Sequence, residues 1–453
     1  MMIVLVVFIL YFSCLFPAHA AESETFLPIQ EITTESGITA WLVEDHTLPV
    51  ISLQFAFAEA GAANDPPDKQ GLSQMLSNTL DEGAGDYDSQ AFQKALTDHS
   101  ISLSFASGRD DFTGSLKTLT RHQDLAFDLL RQALTAPHFD PEAVERMRQA
   151  NLARLRSSLS DPDWIAARIM NDVAFAGHPY ALNSGGTLTT LQNITPDNLR
   201  QAAKNRLNRG TLVVSVAGDI TAEGLKTRLD EVFGELPVIV YDRYLPMSAV
   251  QNPGTITLYA QDIPQTIIQI MQPGIGRADP DYYPALLMDH ILGGGGFGSR
   301  LTEEIREKRG LTYGIHTGFY ALDFVKAYSL STSTKNESAA EVLDLIRAEI
   351  REMQTAPVTK KELEAAKTYL IGAMPLALSS TDRIAGLLLG LRLDNLPIDW
   401  LDRRAAAIAS VTAEDIQRVA KKILQPDGLT VVMVGQPAGV TPDKIVETLP
   451  NVE

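Results

Sequence analysis

The chain holds a single cysteine, Cys14, in 453 residues. Once the N-terminal stretch around it is removed, neither a disulfide nor a reactive thiol is available. Positive charge is also scarce: 38 Lys and Arg face 56 Asp and Glu, a net charge of −18. A field of that sign repels phosphate and anionic headgroups, which excludes nucleic acid as a partner, because such binding rests on basic side chains displacing counterions. No apolar run beyond the first twenty residues approaches the roughly 20 residues that a bilayer span needs. Histidines are scattered: among His46, His99, His122, His138, His178, His290 and His316 no two lie three to five residues apart, so no local histidine pair exists for a metal. Neither a Ser/His/Asp nor a Cys/His constellation stands out.

What is present is ordinary globular material. Hydrophobic residues make up 45% and charged residues 21% of the chain, enough for a packed interior, and the length predicts about two to four domains. Residues 1–20, MMIVLVVFILYFSCLFPAHA, carry no charged side chain and end in Ala18-His19-Ala20, which reads as a secretory signal peptide cut before Ala21. Left uncleaved, the same stretch would act as an anchor.

Glu31 to Phe57 alternates and is rich in β-branched residues, predicting two strands joined through Glu44-Asp45-His46. Helices are expected from Gln70, from Ser89, over Arg121–Leu134 and over Pro141–Leu159, with strands around the Arg109-Asp110 turn and over Thr211–Ala217. The chain also matches itself. ITPDNLRQAAKNRLNRGTLVVSVAGD from Ile194 aligns without a gap with VTAEDIQRVAKKILQPDGLTVVMVGQ from Val411; each reads as a capped helix, a turn and an apolar strand ending at Gly218 or Gly435. HTLPVISLQFAF before the helix from Gln70 likewise resembles DIPQTIIQIMQP before the helix from Asp281. The expected fold is therefore α+β: two homologous halves, each a mostly antiparallel sheet with helices on one side. We divide the chain into a signal peptide (1–20), an N-terminal domain (21–237), a linker (238–254) without periodicity, and a C-terminal domain (255–453).

The segment Gly71–Gly83, GLSQMLSNTLDEG, predicts a helix in which Leu72, Met75, Leu76, Thr79 and Leu80 form one buried stripe, with Gln74, Ser77 and Asn78 on the other side. It resembles the pitrilysin/insulinase family of inverted zinc metallopeptidases, whose helix reads G-L-x-H-x-x-E-H and then a glycine. The resemblance covers almost the whole chain beyond residue 20. In the family the two histidines bind zinc and the glutamate takes a proton from the bound water. The family positions fall here on Gln74 and Asn78 for the histidines and on Ser77 for the glutamate. Carboxamides are poor zinc ligands beside imidazole, and a serine hydroxyl is no base near neutral pH. The family's distal glutamate ligand would fall near Ala153–Leu155, and no Asp or Glu occurs from Arg146 to Ser160. No metal is therefore expected in this chain. His178-Pro179-Tyr180 matches a family G-H-P-Y element that does not bind zinc.

Leu292–Gly314, LGGGGFGSRLTEEIREKRGLTYG, lacks the Gly-Lys-Ser/Thr order of a phosphate loop and predicts a helix-to-helix turn. It resembles the family's L-G-G, S-R-L and R-E-x-x-G-L-x-Y elements. By that resemblance Arg306 and Tyr313 would steady a substrate carbonyl opposite the zinc and stabilise the oxyanion it becomes; by spacing alone, Arg306 is a solvated residue of a charged helix end and Tyr313 an alternating strand residue. Some bacterial members divide the zinc motif and the arginine–tyrosine pair between two chains. The resemblance thus implies a periplasmic subunit without zinc that pairs with a zinc-bearing homologue as a heterodimer and positions peptide for it. The alternative is an inactive scaffold or assembly protein of the same fold.

Overall fold

The computed structural model describes residues 25–239 and 245–453. The expected signal peptide, and residues 240–244 of the expected linker, lie outside the described residues. The first half contains strands β1 (Gln30–Thr33), β2 (Thr39–Glu44), β3 (Val50–Phe57), β4 (Ser102–Ser107), β5 (Phe112–Leu119) and β6 (Leu212–Gly218). They form one sheet in the order β1-β2-β6-β3-β5-β4, antiparallel except for β2 beside β6. Its helices are α1 (Leu72–Ser77), α2 (Ser89–Asp98), α3 (Gln123–Thr135), α4 (Pro141–Ser158), α5 (Pro162–Ala174), α6 (Leu188–Asn193), α7 (Pro196–Arg206) and α8 (Ala222–Phe233). The second half contains β7 (Ile256–Ala260), β8 (Gln265–Pro273), β9 (Thr312–Ala321), β10 (Lys326–Lys335), β11 (Thr430–Gly435) and the short β12 (Lys444–Ile445), in the order β12-β7-β11-β8-β10-β9. Its helices are α9 (Tyr282–Asp289), α10 (Ala339–Thr355), α11 (Lys360–Gly372), α12 (Met374–Ala377), α13 (Thr381–Leu393), α14 (Trp400–Ser410) and α15 (Ala413–Ile423).

The internal match is structural. Both α7 and α15 open on a capping box, Thr195 with Asn198 and Thr412 with Asp415, and both lead into a strand, β6 or β11, that lies third from the edge beside β3 or β8. Both strands end on a glycine at positive φ, Gly218 at 133° and Gly435 at 141°. A side chain at Gly218 would sit 2.1 Å from the Val50 carbonyl oxygen, so the turn admits only glycine.

One expectation needs correction. Glu31–Phe57 holds three strands, and β2 and β3 do not pair across Glu44-Asp45-His46. Strand β6, arriving from far along the chain, inserts between them and runs parallel to β2. Alternation shows which residues face the core, but it does not name the neighbouring strand.

Each half also lends a helix to the other. Helix α5 of the first half packs against β8 and β11, burying Ile165, Ile169 and Met170 with Met271, Val432 and Val434. Helix α13 of the second half packs against β3 and β6, burying Ile384, Leu388 and Leu391 with Trp41, Val43 and Ala217. Residues pointing to the second sheet face thus find an apolar cover, at about 1.5–3 kcal/mol for each large side chain removed from water. Arg392, at the end of α13, ties the exchange by donating to the Thr39 carbonyl at 2.9 Å.

Candidate functional site

Helix α1 is shorter than the expected Gly71–Gly83 and ends at Ser77. The Thr79 amide bonds back three residues to the Leu76 carbonyl at 3.2 Å, while its hydroxyl donates to the Met75 carbonyl at 2.8 Å. The chain thereby tightens out of the helix, because a hydroxyl competes for a carbonyl that the ladder would use. The buried stripe is as expected: Leu72, Met75, Leu76, Thr79 and Leu80 are all buried. At its start the helix is held by Asp65, whose carboxylate accepts from the Gly71 and Ser73 amides at 3.1 Å each and pairs with Arg206 at 2.7 Å. Burial raises the Asp65 carboxyl above its usual range, and Arg206 and Ser73 oppose that rise.

Gln74, Ser77 and Asn78 are gathered into one network of neutral groups. The Gln74 amide nitrogen donates to Asn78 Oδ1 at 3.1 Å and to Ser77 Oγ at 3.3 Å, and the Ser77 hydroxyl donates to the Gln74 carbonyl at 2.9 Å. From α4, Asn151 donates to Asn78 Oδ1 at 3.1 Å and accepts from the Arg154 guanidinium. Asn151 and Arg154 lie on adjacent turns of α4, one helical turn apart, so they reach the same spot. Tested against zinc, this donor set does not fit. It offers neither imidazole nor carboxylate, the amide oxygens of Asn78 and Asn151 are occupied by N–H donors, and a fixed positive charge stands beside the place where a cation would sit. Sequence reasoning put the distal position at Ala153–Leu155, whereas the residue that meets Asn78 is Asn151. The absence of acids from 146 to 160 was visible in sequence; which amide faced α1 depended on the rotation of α4.

The second half is built differently. After α9 the chain widens into a π-helical turn over His290–Gly294, the Gly295 amide reaching the His290 carbonyl at 2.9 Å, and a second such stretch spans Thr302–Glu307. Such widened turns concentrate at functional sites because they re-aim side chains. Arg300 is anchored on Glu362 through two bonds, at 2.7 and 3.1 Å. Arg306 and Tyr313 do come together: the guanidinium lies 5.4 Å from the Tyr313 ring centroid and 4.4 Å from that of Phe297. Tyr313 is 89% exposed and Phe297 71%, so both rings project into solvent. Phe297, unremarked in the sequence, reaches Arg306 because the run Gly293–Gly298 folds back over the turn. Arg306 thus sits against Phe297 of the glycine run and Tyr313 at the start of β9, in the second half, while Asn78 meets Asn151 of α4 in the first half, so the two groups belong to different halves. His178 is structural: its ring bonds the Pro246 carbonyl at 3.1 Å and accepts from the Tyr180 amide.

Residues 51–187 match the pattern of the insulinase family, peptidase family M16, and residues 193–370 match that of the peptidase M16 inactive domain. A protein of Helicobacter pylori named non-peptidase homolog YmxG is 28% identical over 342 residues, 74% of this chain and 77% of its own length. The probable mitochondrial-processing peptidase subunit beta of Schizosaccharomyces pombe is 23% identical over 440 residues, 92% of this chain and 93% of its own. Among solved structures, a peptidase M16 inactive domain from Pseudomonas fluorescens superposes with a TM-score of 0.85 at 26% identity, covering 92% of this chain and all of that one.

Proposed function

Because the chain belongs to the insulinase-type peptidase family M16, we propose that it is the catalytically inactive member of a two-chain peptidase, supplying Arg306 and Tyr313 to a zinc-bearing homologue. The single observation that carries this reading is the pairing of Arg306 with an almost fully exposed Tyr313, in a chain whose own motif positions hold only neutral amides and a hydroxyl. Guanidinium and phenol are both donors, suited to a peptide carbonyl and to the charge it gains when attacked. Tyr313 is exposed and Arg306 half-buried beside it, so the pair can face a cavity completed by another chain. The name of the fission-yeast relative designates it a subunit, which supports assembly with a partner. Residues 1–20 would deliver the protein to the periplasm, and no zinc is needed in this chain.

The test begins by recovering the protein from its native envelope and identifying a co-purifying homologue that contains H-x-x-E-H. In that complex Arg306→Ala should lower kcat roughly ten- to thousandfold and Tyr313→Phe less, with zinc content and assembly unchanged. Arg306→Lys should recover only part, since an ammonium lacks the planar fork. Wild-type cleavage by both the Arg306→Ala and Tyr313→Phe complexes would establish the scaffold function instead.

A further inference from the structure

Beside the amide network that replaces the family's zinc ligands lies a cleft of about 310 Å³ between α1, α4, α5 and the loop 183–185. In a chain of net charge −18 its wall contains three arginines, Arg109, Arg154 and Arg168, and no carboxylate. Among the described residues none of the three has a salt bridge. Arg109 donates to the Tyr320 hydroxyl at 3.1 Å and to the Tyr180 carbonyl, Arg154 to Asn151, and Arg168 to the Leu182 carbonyl at 3.0 Å and to that of Ala181. Neutral oxygens satisfy hydrogen bonds without cancelling charge.

Arg168 is the telling residue. It is 4% exposed, and its Nε is buried with no hydrogen-bond partner among the described residues. A buried guanidinium without a bonded carboxylate is costly, and an orphaned buried donor calls for an acceptor. Burial and the neighbouring Arg109 pull Arg168 down to about 10 against the opposing field of Asp172, with which it makes no salt bridge, and it stays charged at neutral pH. The family's catalytic site is electron-poor because of a metal dication; this chain keeps an electron-poor cleft in that place by using guanidinium groups.

We propose that the cleft is an anion receptor that binds an organic carboxylate, the C-terminal carboxylate of a short peptide. Guanidinium forks present parallel N–H donors that match a planar carboxylate, and Arg154, exposed at the rim, is free to close over it through its remaining nitrogens. Trp164, Leu155 and Ala167 add an apolar wall, which favours a ligand with a hydrocarbon body over an inorganic anion. The proposal concerns this chain alone and holds whether or not Arg306 and Tyr313 serve a partner.

Calorimetric titration of the full chain at low salt decides it. The probes are the tripeptide alanyl-alanyl-phenylalanine with a free C-terminus, its C-terminal amide, acetate and inorganic phosphate. The free acid should bind at least about tenfold more tightly than the other three, and raising the salt should weaken it, because the contact is ionic. Arg154→Gln, at an exposed position where the fold loses little, should weaken the acid by about tenfold or more. The proposal is overturned if the acid does not bind at millimolar concentration, if acid and amide bind alike, if phosphate or acetate matches the acid, or if Arg154→Gln binds like the wild type.

Discussion

Helices α1 and α9 follow equivalent strands, β3 and β8, in the two halves, and their polar surfaces have gone separate ways. Around α1 the polar groups turn inward onto one another, Gln74 to Asn78 to Asn151 to Arg154. Beyond α9 the chain opens through widened turns and offers Tyr313 and Phe297 to solvent with Arg306 half-buried between them, while the inward polar group, Asp289, is occupied by the hydroxyls of Thr317 at 2.7 Å and Tyr328 at 2.9 Å. Burial raises the Asp289 carboxyl, and those two hydroxyls hold it back. The difference teaches that a duplicated fold constrains the apolar stripe of a helix far more tightly than the chemistry on its polar side. Leu72, Met75, Leu76 and Leu80 are buried, while the polar side of the same helix carries Gln74, Ser77 and Asn78 rather than histidine and glutamate.

The sharpest way to break this comparison is to restore the first half. The triple variant Gln74→His, Ser77→Glu and Asn78→His should hold little zinc after dialysis, because a third protein ligand is missing and Arg154 repels the cation. Adding Asn151→Glu and Arg154→Ala should bring zinc to near stoichiometry, measured by metal analysis on folded protein, since position 151 meets position 78. Stoichiometric zinc in the triple variant would show that the distal position is dispensable. The next largest effect concerns the exchanged helices. Ile169→Ala and Leu388→Ala, each at a side chain fully removed from water, should cost about 2–5 kcal/mol apiece in urea unfolding. A cost well under 1 kcal/mol for one of them would mean that the halves do not depend on each other equally.

The smallest effect lies at the seam between the halves, where Asp110 and Asp111 of the first half face Asp323 of the second. Burial, and then Asp323 and Asp110, raise Asp111 from 3.8 to about 7. A carboxyl whose folded value is raised stabilises the fold fully below its unfolded value and loses that contribution as pH rises through the folded one. The Tm should therefore fall as pH climbs from about 4 to about 8, and Asp111→Asn should flatten that slope. An unchanged slope in the variant would assign the pH dependence elsewhere.

Much of this was legible in the sequence. The match between the segments from Ile194 and Val411 carried the duplication, because a capping threonine, a helical apolar face and a strand ending in glycine each leave a mark along the chain. The departure from the family's motif was legible for the same reason: Gln74, Ser77 and Asn78 sit at fixed helical spacing, and the family resemblance says what belongs there. The family resemblance also brought Arg306 and Tyr313 forward together. Phe297, Asn151 and Arg154 were not legible, since each acts on a residue that comes near it only through the turn of another element.

The sequence by itself determined the buried stripe of the helix from Leu72, that the chain is a two-halved α+β protein, and that neither His nor Glu stands at positions 74, 77 and 78. These are local properties, set by periodicity and by the identity of side chains. The tertiary structure alone decided that β6 separates β2 from β3, that α5 and α13 cross to cover the opposite sheets, and that three arginines with no salt bridge among the described residues line one cleft. Those features depend on contacts between residues far apart in the chain, where the energy of burying an apolar face or pairing a charge is the same for many partners, and only the packing of the whole selects one.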